Sequence, residues 1–136
     1  MKLEFKRVIK ETTLGRIQEI IAASHPQACL EGRYYVALKD GKIAGCTALV
    51  RRAWYMTELK HLFVKEEDRE IGIGKFLVEE AIKKVKTPLV CCTVRSDNER
   101  SLNLFTGKSF ERVSSFQNSM TGQQILLMVK KMECRG

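Results

Sequence analysis

The sequence is poor in the residues that mark several protein classes. Two prolines and nine glycines in 136 residues exclude collagen-like and low-complexity chains. No apolar run approaches the roughly 18 residues that a membrane-spanning helix requires, so no membrane association is expected. The first ten residues, MKLEFKRVIK, carry charge throughout and lack an apolar export core. A cytoplasmic location is the expectation. There are only two histidines, His25 and His61, and no Cys-x-x-Cys, so no metal site is expected. The five cysteines are an odd number and read as reduced thiols. The adjacent Cys91 and Cys92 read as small strand residues, one on each side of a sheet. Aromatic residues are 7% of the chain, and neither an aromatic-rich RNA motif nor a helix-turn-helix pattern is evident.

Positive charge is what the sequence has in excess. Its 24 basic and 16 acidic side chains leave a net charge of +8. That asks for an anionic partner: nucleic acid, a membrane surface or a phosphate-bearing small molecule. Acids are interspersed among the bases, as on an ordinary solvated surface, which argues against a nucleic-acid module. Hydrophobic residues are 44% of the chain, enough for one packed domain over residues 1–136.

Periodicity divides the chain into alternating elements. Leu3 to Val8 alternates as a half-buried strand. Thr12 or Thr13 would cap a helix carrying Leu14, Ile17, Ile20 and Ile21, ended near His25-Pro26. Arg33 to Leu38 and Ile43 to Val50 are strands joined by Asp40-Gly41, a strong hairpin signal. A third strand is expected from about Trp54 to Val64. Ile73, Phe76, Leu77, Ala81, Ile82 and Val85 form a helical stripe stopped by Pro88. Leu89 to Val94 reads as a buried central strand. Ser96-Asp97-Asn98-Glu99 reads as a capping box opening a helix that ends near Gly107. Strands at about Phe110–Phe116 and Ile125–Met132 follow, separated by a polar loop, and Glu133 to Gly136 reads as a frayed tail. The order is β-α-β-β-β-α-β-α-β-β. It predicts a single-domain α/β fold, a mixed and mostly antiparallel sheet with helices on both faces.

The sharpest local feature is Arg69-Glu70-Ile71-Gly72-Ile73-Gly74-Lys75, placed after a strand and opening a helix. A helix start offers unpaired amides and a positive dipole end. Glycines let a phosphate approach the backbone, and Arg and Lys add charge. A dinucleotide fingerprint is excluded because Leu77 stands where its third Gly belongs. A P-loop is excluded because Arg69, and Leu102 before Gly107-Lys108-Ser109, occupy its first Gly position.

Residues Leu62 to Gly74 resemble motif A of the GNAT superfamily of acyl-CoA N-acyltransferases. Asn98-x-x-Ser101-x-x-Leu104-Phe105, followed by Phe110, is similar to its motif B. The resemblance runs from Leu3 to Met132 and includes the element order. It implies acetyl-CoA as co-substrate and acetyl transfer to a primary amine, of a small molecule or a protein, by direct attack in a ternary complex. It implies that Arg69, Glu70, Ile71, Gly72, Ile73, Gly74 and Lys75 surround the pyrophosphate. The backbone at Leu62, Phe63 and Val64 would meet the pantetheine arm and an oxyanion, with Asn98, Ser101 and Phe105 near its end. A family β-bulge in this strand would splay it from Leu89–Val94.

Such chemistry needs a base, oxyanion donors and an acid near the thiolate. Glu58 is the first choice of base, with His61 the alternative. On a regular strand Glu58, Lys60 and Leu62 share a face. The plainer reading of Glu58 is a carboxylate paired with Lys60 or Arg51. The family's usual Tyr acid is replaced here by Phe105, and Phe cannot donate a proton. A catalytically silent acyl-CoA-binding protein is therefore the alternative, ahead of a basic nucleic-acid-binding module. Glu66, Glu67 and Asp68 read as a solvated acidic loop. Exposed C-terminal strands could pair two copies as a homodimer.

Overall fold

The computed structural model describes residues 1–25 and 28–133. The elements are β1 (Leu3–Arg7), α1 (Glu11–Ser24), β2 (Arg33–Lys39), β3 (Lys42–Ala53), β4 (Met56–Val64), α2 (Ile73–Ile82), β5 (Leu89–Arg95), α3 (Glu99–Gly107), β6 (Glu111–Gln117) and β7 (Gln124–Lys131). A short 3-10 turn at Glu66–Asp68 precedes α2. The seven strands form one sheet in the order β1-β2-β3-β4-β5-β7-β6. The expected order and α/β class are thus observed, with β4 and β5 parallel and the other registered pairs antiparallel. No helix among the described residues is long and apolar enough to cross a membrane.

The chain forms two compact units. One holds Met1–Val50 and Leu59–Lys84, the other Arg51–Glu58 and the described residues from Val85 onward. In the first unit, neighbouring strand residues feed two separate cores. Tyr34, Val36 and Cys46 pack with Ile17 and Ile21 of α1. Ala37 and Ala44 pack with Ile73 and Leu77 of α2. Successive strand side chains point to opposite faces, so α1 and α2 cover the two faces of this part of the sheet. Phe5 packs into the α2 core, stacked on Tyr35 at 4.9 Å and edge-on to Phe76 at 6.3 Å.

In the second unit, β7 runs between β5 and β6 with β5 register from Leu89↔Lys131 to Arg95↔Ile125. Phe105 of α3 packs edge-on to Phe110 at 5.1 Å. Buried Thr57 and Thr87 share a hydroxyl hydrogen bond of 2.7 Å. The edge strand β6 is exposed along its whole length.

Several local expectations are corrected. Helix α1 starts at Glu11, because the amide of Leu14 bonds the carbonyl of Lys10 at 3.0 Å; Thr12 and Thr13 lie inside the helix rather than capping it. Pro26, expected to help end α1, and Cys134, Arg135 and Gly136 of the tail lie outside the described residues. Trp54 and Tyr55 form the β3–β4 turn, so β4 begins at Met56. Helix α2 ends at Ile82, well before Pro88, and buried Val85 lies beyond it. The start of α3 is capped by Asn98, whose Oδ1 accepts from the Ser101 amide at 3.2 Å, rather than by Ser96.

Close packing between strands leaves no room at Gly45. A Cβ there would sit 2.5 Å from the Phe63 carbonyl oxygen and 3.0 Å from a Leu77 methyl. Gly45→Ala should therefore lower stability by about 1–3 kcal/mol, the usual cost of overpacking, read as a fall in Tm.

Buried thiols give a second prediction. Burial pushes Cys46 up to about 12 and Cys91 up to about 11, and it also raises Cys92. Cys29 is exposed. At neutral pH a thiol reagent should label Cys29 in the native protein while the three buried thiols stay protonated and unreactive. Each raised thiol binds its proton more tightly folded than unfolded. Stability from this source is complete below the free-thiol value of 9.0 and falls as pH rises from there toward about 12. Unfolding midpoints measured between those pH values should decline.

Candidate functional site

The start of α2 is built as an anion cradle. Gly72 is its N-cap, at φ +91°, a left-handed conformation that costs an L-residue about 1–2 kcal/mol. Its carbonyl accepts the first helical bond, from the Phe76 amide at 3.0 Å. The amides of Ile73, Gly74 and Lys75 therefore precede any intrahelical partner, and no side chain caps this end. A Cβ at Gly72 would meet nothing within 4 Å, so the turn itself is uncrowded. The side chains of Ile73 and Leu77 are buried and fix the helix start to the sheet. Ile73 thus offers the cradle only its backbone.

The approach to this cradle is pinned from two directions. Arg69 is exposed, and its Nε donates to the Val64 carbonyl at 3.2 Å, which holds the guanidinium beside the loop. Glu70 also takes a positive φ, of +67°. Asp68 is not a solvated loop residue. It is 6% exposed and ion-paired with Lys39 Nζ at 2.6 Å, tying the 3-10 turn to β2. The Asp68 partner also raises the pKa of Lys39. Nothing in the spacing of the acidic run distinguishes Asp68 from exposed Glu66 and Glu67.

Strand β4 carries the two candidate bases. Pairing with β5 runs from Met56↔Leu89 to Glu58↔Cys91. Glu58 is half-buried and held by Arg52, whose Nε and a terminal nitrogen reach Oε1 at 2.8 and 2.7 Å. Its partner is thus Arg52, six residues away across the β3–β4 turn, and neither Lys60 nor Arg51. Lys60 instead pairs with Glu31 at 2.5 Å.

His61 has φ +54°, a break in the strand that no apolar pattern announces. Three contacts hold it. Its Nδ1 lies 2.6 Å from the Tyr34 hydroxyl, the two rings stack at 5.9 Å, and its carbonyl accepts from Cys46 Sγ at 3.6 Å. Tyr34 is buried, and desolvation raises its pKa, so it keeps its proton. The hydroxyl accepts from the Glu31 amide at 3.3 Å. When it also donates to Nδ1, a neutral His61 carries its proton on Nε2. The break also ends the simple alternation. Leu62 and Val64 join the core beneath α2, whereas Phe63 packs into the core beneath α1, near His25 at 5.5 Å.

In the second unit, the side chain of Asn98 is engaged in capping α3 and the Ser101 amide is its partner. Ser101 is half-buried one turn into the helix. Phe105 is 3% exposed and packed on Phe110. The hydrophobic stripe of α3 explains its burial without reference to any ligand. Sequence reasoning missed Arg52, Tyr34 and Glu31. Their only signals were the Arg pair at the end of β3 and a Tyr on an otherwise apolar strand.

Two outcomes follow. Because the surroundings of Gly72 are open, Gly72→Ala should cost only the backbone term, about 1 kcal/mol by denaturant titration. Tyr34→Phe leaves the Glu31 amide and His61 Nδ1 without their shared partner, a loss of about 1–3 kcal/mol. Nitrogen NMR of the ring should show the Nε2-protonated form of His61 in the parent and a tautomer mixture in the variant.

Comparisons with known proteins agree with this geometry. The acetyltransferase (GNAT) family pattern matches residues 9–110. A GNAT family acetyltransferase from Bacillus cereus superimposes with a TM-score of 0.82 at 17% identity, covering 98% of this chain and 100% of its own. An acetyl-CoA-bound GNAT acetyltransferase from Elizabethkingia anophelis gives 0.75 at 16% identity, over 96% and 98%. A ribosomal-protein-alanine N-acetyltransferase from Brucella melitensis gives 0.78 at 18% identity, over 95% and 99%. No curated protein sequence matches the chain. The matched family span, the sheet order and the glycine-opened α2 together make this chain a member of the GNAT acetyltransferase family.

Proposed function

We propose that residues 1–136 act as one cytoplasmic N-acetyltransferase domain that moves the acetyl group of acetyl-CoA to a primary amine. The observation that carries this reading is the start of α2, where three amides without intrahelical partners follow a left-handed glycine, with exposed Arg69 and Lys75 next to them in sequence. A pyrophosphate is the ligand such a cradle suits. The acetyl-CoA seen with the Elizabethkingia relative supports the same co-substrate here. The backbone of Leu62, Phe63 and Val64 would pair with the pantetheine arm as an added strand does. Asn98 and Ser101 would approach its thiol end.

In the transfer, an amine nitrogen forms a bond to the thioester carbonyl carbon and the C–S bond breaks. The amine must first lose a proton, because an alkylammonium has a pKa near 10.4. Glu58 is the base we assign, with Arg52 fixing where its carboxylate sits. His61 is the second choice. With Tyr34 on Nδ1, its neutral ring offers a hydrogen at Nε2, a donor's role. A backbone amide of Phe63 or Val64 is the oxyanion donor we assign on this strand. The thiolate leaves without help from Phe105, which has no acidic hydrogen. The exposed strand β6, with Val113 and Phe116 at its surface, is where two copies would pair.

Turnover of acetyl-CoA across amine and peptide panels tests the reading. Arg69→Ala should weaken acetyl-CoA binding, and Glu58→Gln should leave binding intact while lowering kcat by roughly 10²–10⁴-fold. Absence of calorimetric binding by the parent protein would overturn the proposal. Binding with no free CoA released to any amine, and no effect of Glu58→Gln, would establish the silent acyl-CoA-binding alternative instead.

A further inference from the structure

The cradle at α2 uses few of the 24 basic residues. A second group of them lines a separate cavity of about 710 Å³ in the first unit. It is formed by the end of β1, the first turns of α1, the β2–β3 hairpin and Lys65. Lys6, Arg7, Lys10, Arg16, Lys42 and Lys65 supply six positive charges, and no carboxylate lines it. Among the described residues only Lys6 of the six is ion-paired, with Glu4 at 3.5 Å. Of the nearby acids, Asp68 holds Lys39 and Asp40 accepts from the Lys2 amide at 2.9 Å, while Glu67 shares an adjoining cavity with Lys42 and Lys65. Glu11 occupies the first turn of α1.

Six cations outnumber the acids near them and repel one another, so the arrangement is stabilised by an anionic occupant. Its shape narrows the choice. Between the cations lie Val8, Val36, Leu38 and Ile43, an aliphatic floor, and the volume falls in the ~300–1,000 Å³ range of ligand clefts. That is large for a single inorganic anion. No aromatic side chain lines it, so it offers no stacking platform for nucleic-acid bases. Four of the six cations are lysines, compact charges on flexible stems that can follow separate anionic groups along an extended ligand.

We propose that this cavity docks an acidic peptide segment of a partner protein, carboxylates on the six cations and an aliphatic side chain on the floor. The occupant differs from acetyl-CoA, and the site differs from the α2 cradle. It turns part of the unexplained charge into a recognition surface.

Fluorescence anisotropy of a short dye-labelled peptide of alternating glutamate and leucine tests it on the full chain. Saturable binding that weakens with added salt is expected. The double variant Arg16→Glu, Lys42→Glu should weaken it about tenfold or more, because like charges then face the ligand. Both residues are exposed, and circular dichroism would verify that the variant folds. A lysine–leucine peptide should not bind, and saturating CoA should not displace the acidic one. The proposal is overturned if the parent protein shows no saturable binding at low salt, or if CoA competes for the site. Tighter binding of oligothymidylate of equal charge, or of anionic phosphatidylserine vesicles, would also overturn it. Retained CoA binding in the double variant separates this result from any failure of the acetyltransferase reading.

Discussion

The left-handed turn at Gly72 is the constraint on which the rest of the site depends. It lets the chain leave the 3-10 turn and enter α2 with three amides unspent. A side chain at that position would pay a backbone cost with no steric cause, since the space around it is empty. What keeps the turn in place lies on either side of it. Asp68 ties the preceding turn to Lys39, and Ile73 with Leu77 anchors the helix against Ala37 and Ala44. Polar and apolar contacts thus converge on a turn whose carbonyl accepts the first helical bond while the next three amides have no intrahelical partner.

Strand β4 shows a related arrangement. Its residues alternate normally through Lys60, and then His61 adopts φ +54°. That break is held by Tyr34 at Nδ1 and Cys46 at the carbonyl, both from strands in the same unit. Beyond it, Leu62 and Val64 serve the α2 core while Phe63 serves the α1 core. One irregular residue therefore decides which side chains anchor the strand. The Glu58 carboxylate, before the break, is positioned by Arg52 instead.

Much of the fold was legible in the sequence because its signals are local. Alternation marked β1, Asp40-Gly41 marked the hairpin and takes φ +50° and +85°, and the Ile73–Leu77 stripe marked α2. The glycines of the cradle were legible for the same reason. What escaped was set by tertiary partners. Lys10 rather than Thr12 or Thr13 starts α1, because the first helical bond falls one turn earlier. Asp68 is buried by an ion pair 29 residues away in sequence. Arg52, Tyr34 and Glu31 acquire their places only when strands assemble. The positive φ at His61 also leaves no trace in hydropathy.

The net charge of +8 divides along the same lines. A few bases flank the cradle, six line the cavity under α1, and others pair with acids. The central claim, however, concerns backbone amides rather than charge, and NMR reads those directly. Titrating nitrogen-15-labelled protein with CoA should shift the amides of Ile73, Gly74 and Lys75 most, at a single affinity. Shifts that spare these three amides, or no shifts at all, would contradict the account.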